Sequence, residues 1–386
     1  MLDWLIIGGG VHGTHLSNVL MHRLGVETDR IKVLDDGDKP LDNWERCARN
    51  VGMSYLRSPA VHHIGLEPMG LLKFARRKRQ WIGSFRPPYD RPSLELFMAY
   101  SRHVCERRGL NKIRAQGKVE MLRRQPHGYR VESDQGVIEA RRVVVATGMG
   151  DCLNIPEWAR HDGELPIWHV LDERYEPSLL RDYERIGVVG LGISAGQLVD
   201  ALIERGKRVE LYGPENIEVA DFDSAPCWLG PKCQVGFRRL ASPLLKRKAI
   251  DKARQRGTMP RDVARRLSTR LAWGQVEHIP GWVEDARWES GEVEVHMEGG
   301  EQRRVDALVL ATGFGPVEAR QTWMEPTIET LGLKCSSCGA PLIDEQLQWA
   351  PGLHVSGAWA ELQLGPAAPN IAGSRMAGRR ILKSAS

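Results

Sequence analysis

The sequence lacks any apolar stretch that approaches the roughly 20 residues of a membrane-spanning helix. It also lacks a basic segment followed by a cleavable apolar segment near its first residue, where a short apolar run stands instead. The composition thus gives no sign of a membrane-embedded or secreted protein. We therefore expect a cytoplasmic protein with no membrane partner.

Cysteine and net charge are also low. Seven cysteines are scattered through 386 residues, an odd number that does not indicate a disulfide framework, and we expect reduced thiols. The net charge is +5, from 54 Lys and Arg against 49 Asp and Glu. The most basic stretch, residues 246–270, is predicted to be helical and has no interleaved aromatic side chains, so we interpret it as a solvated face and expect no nucleic-acid partner.

Residues 4–7 are predicted to form a buried strand. The glycine-rich turn GGGVHG and a predicted helix follow this strand at once. In such a turn the first glycine makes the bend, the second lets a pyrophosphate approach the backbone, and the third lets the helix pack closely. A second strand, at 31–34, ends in a carboxylate that can accept ribose hydroxyls. His12, inside the turn, is expected to point away from the phosphates. The predicted dinucleotide site comprises Gly8, Gly10, Gly13 and Asp35.

A second strand–turn–helix unit begins at residue 186 and carries the turn GLGISA, in which alanine takes the place of the third glycine. Its next strand ends at Gly213, where the first unit has a carboxylate. Without an acid there, the 2′-phosphate of NADPH would meet no like charge, so we expect NADPH over NADH, with Lys207 as a further candidate phosphate partner. The predicted second site comprises Gly190, Gly192, Ser194, Ala195 and Arg208.

Two predicted buried strands end in Ala-Thr-Gly, at residues 141–148 and 306–314, and one closes each nucleotide unit. A strand near residue 353 is expected to complete the first sheet. The prediction is an α/β protein with two Rossmann-like, three-layer domains, the second inserted in the first. The expected boundaries are 1–175 and 306–386 for the first domain and 176–305 for the second.

This order of motifs resembles that of the two-dinucleotide-binding flavoproteins, and within them it is similar to the flavin-dependent lysine and ornithine N-hydroxylating monooxygenases. The most specific piece runs from Asp306 to Phe314 and is similar to that family's D-x3-L-A-T-G-Y segment, with phenylalanine in place of tyrosine. Residues 362–373, LQLGPAAPNIAG, are similar to its flavin-contacting turn. The resemblance implies FAD in the first site and NADPH in the second.

The resemblance also implies the chemistry of an FAD-dependent NAD(P)H oxidoreductase, most simply a monooxygenase. NADPH would reduce the flavin, molecular oxygen would add at C4a, and the hydroperoxyflavin would hydroxylate an amine or another soft nucleophile in a dry pocket. No catalytic triad is visible, and none is required. The residues predicted to act in the reaction are Arg57 and Phe314. Those predicted to contact the cofactors, besides the two turns, are Leu56, Ser58, Thr147, Gly148, Thr312, Gly313 and Asn370.

The cysteines leave other interpretations open. Cys335 and Cys338 form a C-x-x-C pair, which would suit a dithiol–disulfide reductase of the thioredoxin-reductase-like group. With Cys227 and Cys233 they would alternatively make a four-thiolate zinc site. A third alternative is an FAD and NADP sensor without turnover. The pair follows the second Ala-Thr-Gly segment, so we favour a monooxygenase without a metal, acting on a small-molecule amine. Homo-oligomer formation is left open.

Overall fold

The computed structural model of the chain describes residues 1–78, 82–150, 152–161, 165–315 and 322–385. Its two largest sheets are built around the two apolar strands that precede the glycine turns. None of the helices in these ranges is both long and apolar enough to cross a membrane.

The first part of the chain forms most of one large sheet. β1 lies between β2 and β8 and pairs in parallel with both, and its residues 4–7 are at most 2% exposed. A strand buried on both faces needs a continuous apolar run, which is what the sequence provides. The elements are β1 (Leu2–Ile7), α1 (Val11–Arg23), β2 (Ile31–Asp35), α2 (Asp42–Asn50), α3 (Gly70–Arg77), β3 (Phe85–Arg86), β4 (Arg91–Pro92), α4 (Leu94–Arg107), β5 (Arg114–Gln116), β6 (Val119–Gln125), β7 (Gly128–Ser133) and β8 (Gly136–Val145).

The middle of the chain forms a second parallel sheet with the strand order β12-β11-β10-β16-β9, and a small antiparallel sheet, β13-β14-β15. The helix after the second glycine turn, α5, packs on α8. The elements are β9 (Ile167–His169), β10 (Arg185–Val189), α5 (Ile193–Glu204), β11 (Arg208–Gly213), α6 (Pro231–Arg238), α7 (Pro243–Ala253), α8 (Arg261–Ala272), β12 (Val276–Pro280), β13 (Val283–Glu289), β14 (Glu292–Met297), β15 (Gln302–Val305) and β16 (Ala307–Leu310).

The last part of the chain returns to the first sheet. Its elements are α9 (Met324–Leu331), β17 (Gln348–Ala350), β18 (Leu353–Val355), α10 (Glu361–Leu364) and α11 (Ile371–Ala385). β18 pairs in parallel with β8, and α11 packs against α1. The tail strand therefore completes the first sheet, and the predicted fold, two Rossmann-like units with the second inserted in the first, is confirmed.

The strand pairing places the ends of the inserted domain at other residues than the sequence predicts. β9, at Ile167–His169, pairs with β16, and β16 pairs with β10, so the second sheet extends beyond residues 176–305 on both sides. The error arose because the second Ala-Thr-Gly strand was assigned to the returning first domain, whereas it is an interior strand of the second sheet. We propose that the inserted domain runs from about residue 152 to residue 315.

Candidate active site

The three glycines of the first turn have three different environments. Gly8 has a φ of 104°, and a Cβ added there would lie 2.6 Å from the carbonyl oxygen of Ala146. A Cβ on Gly13 would lie 1.8 Å from the carbonyl oxygen of Gly8, so α1 can pack on the turn only through glycine. A Cβ on Gly10, in contrast, would meet no atom within 4 Å. The open side of Gly10, at the amino end of α1, is where a pyrophosphate can approach.

Asp35 closes the other side of this turn. Its carboxylate accepts hydrogen bonds from the backbone amides of Gly9 at 2.5 Å and Gly37 at 3.2 Å. Burial is the largest influence on this carboxyl group and raises its pKa. Arg114 lies 3.7 Å away, and its Nη1 is buried with no hydrogen-bond partner in the described part of the chain. The carboxylate is thus placed at the strand end where the ribose of a dinucleotide would lie.

The first Ala-Thr-Gly segment lies against the same turn. The Cα atom of Thr147 is 2.9 Å from a Cβ added at Gly8, and Gly148 has a φ of 73° with open space beside it. The hydroxyl of Thr147 is buried and has no hydrogen-bond partner among the described residues. Such an atom is costly to leave unsatisfied, so a ligand that reaches this turn would stabilise it. The open glycine, the ribose-side carboxylate and this hydroxyl together fit FAD.

The second turn repeats the first. Gly190 has a φ of 120°, and a Cβ there would lie 2.7 Å from the carbonyl oxygen of Ala311. Gly192 caps the amino end of α5, and a Cβ there would have no neighbour closer than 3.6 Å. Ala195, in the place of the third glycine, is completely buried, and Ser194 lies in the first turn of α5. This geometry fits a second dinucleotide.

Lys207 and Arg208 are not at this site, and the prediction that they meet the 2′-phosphate is wrong. Arg208 is the first residue of β11 and is paired with Arg185 at the amino ends of both strands. Gly213 ends β11, about 17 Å away along five extended residues. The Nζ of Lys207 donates to two backbone carbonyls before β10. Dinucleotides bind at the carboxyl ends of parallel strands, which neither side chain reaches.

Gly213 itself packs directly on the second turn. A Cβ at this position would lie 3.2 Å from the Cβ of Leu191, which is tighter than ordinary contact. Close packing therefore explains why this position has glycine and not an acidic residue. The absence of the carboxylate also affects which cofactor can bind. The preference for NADPH stays a prediction.

Phe314, which is predicted to act in the reaction, lies on a connection between the domains. It forms an isolated antiparallel bridge with Leu153, and its side chain is 47% exposed. The amide of Asn154 donates to the carbonyl of Gly313 at 2.9 Å, and the hydroxyl of Thr312 donates to the carbonyl of Asn154 at 2.5 Å. The two connecting segments thus run side by side. The segment that resembles D-x3-L-A-T-G-Y borders the second turn and not the first.

Arg57 joins the loop that contains Leu56 and Ser58 to the inserted domain. Its Nη2 donates to the carbonyl of Ala220 at 2.7 Å and to the hydroxyl of Thr258 at 2.9 Å, and its Nε donates to the carbonyl of Asp221 at 3.3 Å. Burial lowers the pKa of the guanidinium. On the same loop Leu56 is a core residue, only 2% exposed. Arg57 therefore holds a loop of the first domain against the second domain.

Asn370 lies at the same interface, just before α11. Its Nδ2 donates to the carboxylate of Asp223 at 3.1 Å, and its carbonyl accepts from the Nε2 of His12 at 3.0 Å. The Nδ1 of His12 then accepts from the hydroxyl of Ser356 at 2.8 Å. Burial lowers the pKa of His12 to about 4, so the ring is neutral. Through these two hydrogen bonds His12 ties α1 to the C-terminal segment.

Ion pairs fasten the two domains around this interface and explain part of the basic segment. Arg91 of the first domain pairs with Asp262 at 2.5 Å. Glu361, only 1% exposed, pairs with Arg247 at 2.9 Å and with Arg254. A buried carboxylate needs such partners, since an unpaired buried charge is very unfavourable. These arginines thus have a structural role.

The cysteines do not behave as predicted. Cys227 and Cys233 form a disulfide, so the expectation that all thiols are reduced is wrong, and within the described ranges no group of three or more His, Cys, Asp or Glu side chains could hold a metal. The disulfide engages two of the four thiols that the four-thiolate zinc alternative requires. Burial raises the pKa of Cys338, but the Ser336 hydroxyl and the Arg247 guanidinium outweigh burial, and the net shift is downward.

Asp223 and Thr258 are the site residues that the motifs did not indicate. Asp223 lies in residues 216–242, which show no periodicity, and its only signal is that these residues follow the carboxyl end of a predicted strand, the edge at which ligands bind. Ser58, predicted near the flavin, is partly buried on the Arg57 loop.

Two strand–glycine–helix units in two parallel sheets, joined by paired connections, define the two-dinucleotide-binding fold of flavoproteins. Two family models agree: residues 5–150 match the FAD-NAD(P)-binding model, and residues 82–258 match the model of pyridine nucleotide-disulphide oxidoreductases. These matches support FAD and a nicotinamide nucleotide as the cofactors. A search by sequence against curated proteins gives no match.

Solved structures of other proteins give a more specific comparison than the family models. The chain is similar to an ornithine N-hydroxylase of Kutzneria sp. 744, with a TM-score of 0.80 at 16% identity, covering 100% of this chain and 99% of that one. It is also similar to a cadaverine monooxygenase of Erwinia amylovora, with a TM-score of 0.78 at 18% identity, covering 100% of this chain and 94% of that one. Its similarity to a bacillithiol disulfide reductase of Bacillus cereus has a lower TM-score, 0.64 at 16% identity, covering 100% of this chain and 98% of that one. The predicted resemblance to N-hydroxylating monooxygenases is confirmed at the level of the fold.

Proposed function

We propose that this protein is an FAD-dependent NADPH oxidoreductase that uses molecular oxygen to hydroxylate the nitrogen of a small-molecule amine in the cytoplasm. One amine N–H becomes N–OH, the second oxygen atom leaves as water, and NADPH supplies the two electrons. The observation that carries the proposal is the interface at which Arg57 and Asn370 of the first domain meet residues 220–223 of the second. A shared fold with two amine hydroxylases supports the same reaction class.

The residues of the two turns would hold the cofactors. Gly10 and Asp35 would receive the diphosphate and ribose of FAD, and Gly192 would receive the diphosphate of NADPH. When bound, FAD supplies the hydride acceptor and the activation of oxygen. The protein itself must bring the two cofactors together and exclude water. Arg57, which donates to three oxygen atoms of the inserted domain, would keep the interface closed.

Amine hydroxylation also requires a neutral nitrogen, because only the free base has a lone pair with which to attack an electrophilic oxygen. An alkylamine of the lysine type has a pKa of about 10.4, so the site must favour the deprotonated form of the reacting group. A partly dry interface disfavours the ammonium ion and thus serves this purpose.

The test is a product balance. Protein reconstituted with FAD would be supplied with NADPH, oxygen and a panel of primary amines, and hydroxylamine, hydrogen peroxide and NADPH consumption would be measured together. We expect hydroxylamine from at least one amine, with hydroxylamine and peroxide together equal to the NADPH consumed. Peroxide alone for every amine would contradict the proposal.

A disulfide reductase is the second candidate, and one observation favours it: the bonded pair Cys227–Cys233 lies in the inserted domain, within the range that matches pyridine nucleotide-disulphide oxidoreductases. In that case NADPH would reduce a low-molecular-weight disulfide, and replacing both cysteines by serine would abolish the activity. If the serine variant instead retains NADPH-dependent amine hydroxylation, this candidate is excluded.

A further inference from the structure

A disulfide closes a short loop of the inserted domain. Cys227 and Cys233 are bonded six positions apart, and both are only partly buried. The residues at positions 229, 231 and 232 between them are exposed, so this side of the loop faces solvent. A thiol in solution can therefore approach the disulfide, and exposed disulfides are the ones that are most easily reduced. We call residues 227–234 the disulfide loop.

The disulfide loop packs on the C-terminal part of the chain, which belongs to the first domain. A Cβ added at Gly365 would lie 3.0 Å from the Cε3 atom of Trp228, so the indole ring lies directly on this glycine. The side-chain amide of Gln234, a residue that is 3% exposed, donates to the carbonyls of Trp228 and Leu364, each at 2.8 Å. The ring and the amide together hold the disulfide loop against residues 364 and 365.

Residues 364–370 in turn lie against the first glycine turn. The amide of Ala368 donates to the carbonyl of Gly365 at 3.0 Å, and the amide of Asn370 donates to the carbonyl of Ala367 at 3.2 Å, so these residues form a compact turn. The carbonyl of Asn370 accepts from the Nε2 of His12, which lies inside GGGVHG. Contacts are thus continuous from the disulfide to the proposed diphosphate site of FAD.

The disulfide restricts the conformations that its loop can adopt. With the bond intact, few alternatives to the packed arrangement are accessible, whereas two separate thiols would let the loop open and the Trp228 ring leave Gly365. Residues 364 and 365 would then lose their contacts with the inserted domain, and the FAD site would become less ordered. A less ordered site binds its ligand more weakly, because binding must then restore the order.

We infer that Cys227–Cys233 is a modification site for a dithiol and that its reduction weakens the binding of FAD; this inference rests on the FAD site of the proposed function and not on its hydroxylation step. One thiolate of the dithiol attacks a sulfur atom of the disulfide, the S–S bond breaks, and the second thiol resolves the mixed disulfide. The dithiol becomes a disulfide, and its two hydrogen atoms end on Cys227 and Cys233. Hydrogen peroxide reverses the change by forming the disulfide and two molecules of water.

This role differs from that of the cysteine pair in a disulfide reductase. In such an enzyme the electrons would pass from NADPH through the flavin to the cysteines, whereas here they come from a separate dithiol. A titration of thiols in the denatured protein should give five thiols before and after anaerobic incubation with NADPH, and seven after treatment with dithiothreitol. Seven thiols after NADPH alone would contradict the inference.

The first arm of the test measures FAD binding in the two redox states, with dithiothreitol as the dithiol. Unaltered protein is freed of FAD, reduced or left oxidised, separated from the reagent, and titrated anaerobically with FAD by flavin fluorescence. We expect the dissociation constant of FAD to rise about tenfold on reduction, because the loop gains conformational freedom. The original affinity should return when hydrogen peroxide re-forms the disulfide.

The second arm uses variants. Cys227→Ser with Cys233→Ser should bind FAD as weakly as the reduced protein and should not respond to dithiothreitol. Cys335→Ser with Cys338→Ser is the control, since it removes two thiols outside the disulfide loop, and it should keep both the tight binding and the response. Trp228→Ala, in which the disulfide remains, should also weaken FAD binding, and it tests the contact independently if the serine variant does not fold.

The outcomes separate this inference from the proposed function. Equal FAD affinity in the two redox states, or unchanged affinity in Trp228→Ala, would overturn the inference, whichever reaction the protein catalyses. If neither state binds FAD, the proposed function is wrong, and hydrogen exchange then tests the disulfide loop. Faster exchange of the amides of residues 364–370 after reduction supports its role, and equal exchange contradicts it.

Discussion

The Nη2 of Arg57 lies 2.7 Å from the carbonyl oxygen of Ala220, and this hydrogen bond crosses from the first dinucleotide domain to the second. Two more bonds from the same guanidinium reinforce it. In the proposed reaction a nicotinamide bound to one domain must meet a flavin bound to the other, so the stability of this contact should influence the rate of hydride transfer.

Arg57→Ala removes all three hydrogen bonds. We expect the rate constant of flavin reduction by NADPH, measured by rapid mixing without oxygen, to fall about tenfold or more, with the FAD content unchanged. Arg261→Ala, in which an 83% exposed side chain is removed, is the matched control and should have little effect. Flavin reduction at the original rate in Arg57→Ala would show that the contact does not position the domains.

The first glycine turn predicts opposite effects for two substitutions that look alike in sequence. Gly13→Ala places a Cβ 1.8 Å from a carbonyl oxygen and should destabilise the protein by more than about 2 kcal/mol, seen as a lower Tm. Gly10→Ala meets no atom and should leave the Tm of the cofactor-free protein unchanged, while weakening FAD binding about tenfold or more, measured by flavin fluorescence. Unchanged FAD affinity in Gly10→Ala would place the diphosphate elsewhere.

The second turn makes a prediction about the nicotinamide cofactor. Flavin reduction should show a higher kcat/KM with NADPH than with NADH, since no carboxylate stands at Gly213 to repel the 2′-phosphate. Lys207→Ala and Arg208→Ala should keep that preference, because both side chains are at the opposite end of β11. A higher kcat/KM with NADH than with NADPH, in the unaltered protein or in either variant, would be inconsistent with this geometry.

Buried histidines predict how stability depends on pH. Their folded-state pKa lies below the ordinary value of 6.5 because burial disfavours the charged ring. Unfolding therefore takes up protons below pH 6.5. The contribution of these rings to the free energy of unfolding is fully present above that pH and is lost as the pH drops toward 4. Each histidine lowers the free energy of unfolding by up to about 1.4 kcal/mol per pH unit. The residues, each with a pKa of about 4, are His12, His15, His169 and His354.

Scanning calorimetry of the cofactor-free protein at constant ionic strength checks this. The Tm should be level above pH 6.5 and should decline below it. His12→Gln, which has no titrating ring, should show a shallower decline. A Tm that does not change between pH 6.5 and about 4.5 would mean that these rings are protonated in the folded state.

Local sequence was sufficient for the parts of the site that depend on neighbours in the chain. A strand, a glycine turn and a helix are contiguous, so the roles of Gly8, Gly10 and Gly13 follow from their spacing, and the structure places each as expected. The tail strand was also predictable, because a buried run after the second unit needs a sheet to join, and β8 receives it.

The errors arose where direction or long-range packing decides. Arg208 is near Gly213 in sequence, but an extended strand separates them by its full length. The second Ala-Thr-Gly strand resembles the first in sequence, yet only the sheet order shows that it is an interior strand of the second sheet. Asp223 and Asn370 are 147 residues apart, and no local pattern indicates their contact.

The proposed transfer of oxygen to an amine is tested most directly with oxygen-18 gas. FAD-loaded protein, NADPH and each of a panel of primary amines would be incubated under labelled oxygen, and the product would be analysed by mass spectrometry. Amine hydroxylation predicts a hydroxylamine that contains one oxygen-18 atom, formed only when NADPH is present. NADPH consumption with all of the label in hydrogen peroxide and water, and no labelled hydroxylamine from any amine, would contradict it.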